Sequence, residues 1–132
     1  MRNYFTDKEL ACPHCGKVDM DSEFMTRANQ ARHYAGIPFI VNSAYRCPEH
    51  NESEAVGGSP TSSHVKGMAM DVKCKNSWEM FRIIDGLFHA GFKRIMPYVI
   101  PATKHRYDPV HIHFDSDGEK AQDVFRVRTY KT

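Results

Sequence analysis

Long apolar runs are missing from this chain. Nowhere do its 132 residues approach the roughly 20 consecutive apolar positions that a membrane-crossing helix needs, so stable membrane insertion is not expected. The opening stretch Met1-Arg2-Asn3-Tyr4-Phe5-Thr6-Asp7 lacks the apolar core of a secretory leader. The expectation is therefore synthesis in the cytoplasm, or a leader already removed. One-sided charge is missing too: 18 basic residues stand against 16 acidic ones, scattered rather than blocked, for a net charge of +2. That is no nucleic-acid footprint, although mild basicity favours approach to an anionic polymer. Cysteines number four, too few for a disulfide scaffold in a domain of this size. Cys12-Pro13-His14-Cys15-Gly16 looks like half of a zinc ribbon, but Cys47 and Cys74 are isolated and no second Cys-x-x-Cys exists. A reduced turn or a local disulfide is the expectation there. Internal repeats and low-complexity linkers are absent as well, which leaves one compact domain over residues 1–132, expected as a monomer.

What is present alternates between helical and extended patterns. Thr6 lies three residues before Glu9, the spacing of a capping box opening a short helical turn. Phe24, Met25, Ala28, Ala31, Arg32 and Ala35 fit one helical face, with Asp21 or Ser22 as cap and Gly36 as terminator. Phe39 to Tyr45 is rich in β-formers, and Met68 to Lys73 alternates with period two. Ser77 caps a helix carrying Trp78, Phe81, Ile83, Ile84, Leu87 and Phe88, expected to cover the sheet until Gly91 ends it. Arg94 to Ile100 reads as a strand that Pro97 places near an edge or at a bulge. Pro101 to Tyr107 is a polar connection, and Asp117 to Phe125 reads as a short helix before an extended tail. The class is α+β, with a small, mostly antiparallel sheet and helices packed on it.

The chemistry gathers in two stretches. Gly57 to Asp71 is a glycine-flanked turn carrying His64, followed by a strand carrying Asp71; Gly67 between them lets the backbone turn sharply and fold His64 back beside Asp71. An imidazole and a carboxylate suit zinc, which needs at least one further protein donor. Val110 to Phe114 alternates, projecting His111 and His113 from one face. His64, Asp71 and His111 then supply three ligands to one zinc ion and leave the open fourth position of a catalytic site. Asp108, three residues upstream, stands ready as a base. His113 shares the face of His111 and is open to three roles: ligand in its place, hydrogen-bond partner of a ligand, or oxyanion donor. Ser62 reads as a hydroxyl that orders the loop.

The joint pattern Ser62-x-His64-x-x-Gly67-x-Ala69-x-Asp71 followed by Asp108-x-x-His111 resembles the zinc D-alanyl-D-alanine carboxypeptidase family. That family includes L-alanyl-D-glutamate endopeptidases of phages and bacteria, and its fold is shared with the hedgehog signalling domain. The resemblance starts near Phe5 and is densest from Asn42 to Asp71, where Ser43-Ala44-Tyr45-Arg46 is similar to the family's Ser-Gly-Tyr-Arg. It implies a zinc peptidase acting on peptidoglycan stem peptides, a lytic or remodelling enzyme of the cell wall. Arg46 is then the substrate arginine and Asp108 the general base. The alternative it leaves is a non-catalytic zinc-binding module that binds a partner.

Overall fold

The computed structural model describes residues 2–53 and 58–130; Gly57, at the head of the glycine-flanked turn, lies outside them. Elements follow in the order α1 (Asp7–Leu10), α2 (Ser22–Ala35), β1 (Ile40–Ser43), α3 (Pro48–Glu52), β2 (Ala69–Lys73), α4 (Ser77–His89), β3 (Arg94–Thr103), β4 (Arg106–Asp115), β5 (Val124–Phe125) and β6 (Arg128–Thr129). The architecture is α+β. The sheet runs β1-β2-β4-β3-β5, with β6 also on β3. Its first four strands pair antiparallel, and the two short ones join parallel.

Local chemistry accounts for most boundaries. Thr6 and Glu9 close a reciprocal capping box on α1. Asp21 accepts from the Phe24 N–H at the start of α2, and Gly36 ends it at φ 72°. Asn76 rather than Ser77 caps α4, its side chain accepting from the Glu79 N–H. Two further expectations are corrected. The Pro101–Tyr107 connection is mostly strand, because β3 and β4 form one long hairpin turning after Thr103. Among the described residues, the segment from Asp117 to Phe125 contains turns and β5 but no helix, since Val124 hydrogen-bonds to Lys93 and extends the sheet. Residues 48–52 form α3 with Pro48 in its first turn.

Period-two alternation divides the sheet into an apolar and a polar face. Met70, Val72, Ile95, Ile112 and Phe114 point to one side, where α2 and α4 cover them. Phe114 stacks on Phe24 at 5.6 Å and meets Phe92 edge-on at 4.9 Å, contacts worth about 0.5–1.5 kcal/mol each beyond burial. Gly86 lets α4 approach α2, since a side chain there would collide with the Ala31 carbonyl. Only part of the apolar face of α4 is used: Ile83 and Leu87 are buried, whereas Trp78, Phe81 and Phe88 are more than half exposed. The opposite face of the sheet carries Asp71, His111, His113 and Asp115, and there the site forms.

Candidate metal centre

Strand register decides which side chains meet. Asp71 on β2 lies directly opposite His113 on β4, whereas His111 pairs with Lys73, two residues further along. Directly opposed Cβ atoms sit about 4.5–5.5 Å apart. His113 Nδ1 accordingly lies 2.8 Å from Asp71 Oδ1. The turn before β2 delivers His64 from the other side, with Nε2 3.4 Å from Asp71 Oδ2. Gly67 makes this possible: its φ is 69°, and any Cβ would strike the Asp19 carbonyl. The His64 carbonyl is itself held by the N–H groups of Arg46 and Gly67, at 3.3 and 3.2 Å.

His64, Asp71 and His113 thus present three ligand atoms within 4.8 Å of one another. Tetrahedral bonds of about 2.0–2.1 Å imply edges near 3.4 Å, so the group fits zinc with small adjustments. Both imidazoles are oriented from behind. His64 Nδ1 is 2.7 Å from the Ala44 carbonyl, which fixes its proton there and leaves the Nε2 lone pair facing Asp71. His113 Nε2 is 2.8 Å from Asp115 Oδ2, which likewise turns Nδ1 inward. Asp115 is in turn gripped by Arg94 at 2.7 Å.

The charges show what the group requires. Burial alone would raise the Asp71 pKa, but hydrogen bonds from His113 and His64 hold it well below the usual carboxylate range. Burial alone would lower His113, but its bonds to Asp115 and Asp71 push it up to about 9. A positive charge between these carboxylates is therefore strongly favoured. Metal-free protein can supply it as a proton; a divalent cation fits the same place.

Sequence spacing put His111 and Asp108 at this centre, and the structure distributes them differently. His111 lines the same cavity of about 610 Å³ but stands one cross-strand row away, stacked on Tyr98 at 4.5 Å with Tyr130 edge-on. Burial lowers its pKa. Asp108 is elsewhere. It lies on the part of the hairpin that projects past β2, beyond a register shift between Tyr98 and Val99 that breaks the alternation. Its side chain is 44% exposed, pairs with Arg106 at 2.9 Å and lines a separate pocket. Arg46 does reach the cavity, half-buried, with Nη2 on Ser62 Oγ at 3.3 Å and Nε buried without a partner among the described residues. Ser62 Oγ also accepts from the His64 N–H, so the hydroxyl orders the loop.

Sequence reasoning gave less weight to the residues that support the centre. Asp115 shares the parity of His111 and His113, the signal that places it beneath the imidazole. Asp117 has no such signal; it is buried and bonded by Ser63 at 2.8 Å and Lys66 at 3.0 Å, pinning the His64 turn to the end of β4.

The family model for peptidase M15 matches residues 3–113. The chain belongs to this family. The M15 peptidases are the zinc D-alanyl-D-alanine carboxypeptidase family that the motifs resemble, and membership makes the protein a metallopeptidase of a zinc-dependent family acting on peptides. Neither a curated protein nor a solved structure matches the chain. Among the described residues of this M15 peptidase, no helix is long and apolar enough to cross a membrane.

Proposed function

We propose that this M15 peptidase binds zinc through His64, Asp71 and His113 and hydrolyses peptidoglycan stem peptides, at a terminal D-Ala-D-Ala or an internal L-Ala-D-Glu bond. It would act as a monomer at the cell wall, in lysis or remodelling. The observation that carries this reading is the oriented trio on the floor of a cavity that also holds Arg46.

Zinc bound there supplies Lewis acidity toward a peptide carbonyl and toward water. The remaining work falls to the chain. Arg46 binds a substrate carboxylate or the developing oxyanion through paired N–H donors; its Nε, without a partner among the described residues, supports that role. Lys120 and Arg128 also line the cavity, and Arg94 is already neutralised by Asp115, so the mouth favours anionic peptides. His111 flanks the trio on the cavity wall, where a ring nitrogen can accept a proton from the attacking water and return it to the departing amine. This assigns to His111 the work that spacing assigned to Asp108.

Mass spectrometry of defined muropeptides tests the reading. Zinc-loaded protein is expected to cut one of the two bonds, with loss on chelation and recovery on zinc addition. His111→Ala should keep its metal and slow turnover at least about 100-fold, whereas Asp108→Ala should change neither. Intact muropeptides with zinc fully bound would contradict the proposal and favour a binding module.

A further inference from the structure

The largest feature that the peptidase reading leaves unused is the cysteine cluster at the other end of the Arg46 segment. Cys12, Cys15 and Cys47 bring their sulfur atoms within 4.8 Å of one another, and all three are free thiols. A tetrahedral metal–thiolate site with bonds of about 2.3 Å has sulfur–sulfur edges near 3.8 Å, so a modest contraction closes the cluster on an ion. The backbone is shaped for it. Cys12 N donates to the Lys17 carbonyl and Gly16 N to the Cys12 carbonyl, both at 2.8 Å, giving a tight loop with Gly16 at φ 75°. Cys47 N donates to Cys12 Sγ at 3.4 Å, so an N–H already points at the sulfur that would carry negative charge.

His50 can supply a fourth donor. His50 follows Cys47 by three residues across the first turn of α3, a spacing that puts both on one side of the helix. His14 Nδ1 lies 3.5 Å from Cys47 Sγ, and the His50 ring stacks on that of His14 at 6.0 Å and 12°, so His14 borders the thiols and His50 stands beside it. The sequence pattern becomes Cys12-x-x-Cys15 followed by Cys47-x-x-His50, a Cys₃His set of the kind that closes structural zinc sites. The expectation that Cys47 is isolated fails because β1 and the turn after it carry Cys47 back against the N-terminal loop, where Tyr45 N meets the Leu10 carbonyl at 3.4 Å.

We propose that Cys12, Cys15, Cys47 and His50 bind a structural zinc ion, separate from the peptidase centre, that fastens the N-terminal loop to the chain beside Arg46. Because Cys47 follows Arg46 directly, this clamp fixes the backbone that carries the substrate arginine.

Cobalt substitution of the full chain in the His64→Ala background isolates the site, since His64, Asp71 and His113 carry no thiol. The expected result is about one cobalt per chain with a near-ultraviolet thiolate-to-metal charge-transfer band. Cys15→Ser, at an exposed position where the fold is not at stake, should abolish the band. His50→Ala should keep the band but lose metal to a chelator at least about tenfold more readily. Native zinc-loaded protein should hold about two ions and protect its thiols from modification. Absence of the sulfur band with rapidly reacting thiols, or a disulfide between two of the three cysteines in protein prepared under reducing conditions, would overturn the proposal. Loss of retention in His14→Ala with none in His50→Ala would overturn the fourth ligand. Because the readout is sulfur-specific, either failure is distinct from a failure of the peptidase reading.

Discussion

At the scale of single residues, the centre is built by what stands behind its ligands. The Ala44 carbonyl and the Asp115 carboxylate each fix a proton on the far nitrogen of an imidazole, so the near nitrogens, His64 Nε2 and His113 Nδ1, converge beside Asp71 as the atoms free to bind a metal. Asp115→Asn should therefore weaken zinc binding about 10- to 100-fold while the fold persists, measured by competition with a chromophoric chelator. Arg46→Lys keeps the charge but loses the planar fork of donors; KM for a carboxylate-bearing peptide should rise about tenfold or more, with a smaller change in kcat. The approach of His64 to Asp71 was legible in the sequence because the turn, the glycine and the strand parity all point the same way, whereas Arg46 entered only through the resemblance to the family's Ser-Gly-Tyr-Arg stretch. The choice between His111 and His113 was not legible from spacing alone. Both have the right parity, and only the inter-strand register, Asp71 opposite His113, separates them.

At the scale of elements, a turn and a hairpin do the positioning. Gly67→Ala combines a left-handed backbone with a collision against Asp19, and should cost about 1–3 kcal/mol in urea unfolding, with zinc affinity falling in parallel as the His64 turn shifts. Caps and terminators such as Asp21 and Gly36 were readable because they act within a few residues. The position of Asp108 was not, because it depends on how far β4 runs past β2 and on the register shift between Tyr98 and Val99. Cys47 illustrates the same limit: its isolation along the chain says nothing about the separation of 35 positions that the fold closes between it and Cys12.

At the scale of the whole molecule, the apolar face of the sheet supplies stability and the polar face stores charge. Asp71, Asp115 and Asp117 are all buried enough to raise their pKa, yet hydrogen bonds and neighbouring cations hold each below the ordinary value of 3.8. A lowered folded pKa means that the stabilisation is complete above the unfolded value and disappears as pH falls through the folded one. The unfolding free energy difference between wild type and Asp117→Asn should accordingly be constant from neutral pH down to about 3.8 and shrink below it. Denaturant titrations across that range check the sign.

The central claim is that one metal ion sits between His64, Asp71 and His113. Anomalous diffraction at the zinc edge from zinc-loaded crystals tests it most directly. The account predicts a peak bonded to His64 Nε2, an Asp71 oxygen and His113 Nδ1, with an open side toward the cavity. A peak bonded to His111 instead, or no peak at Asp71 in protein that cleaves its substrate, would contradict it.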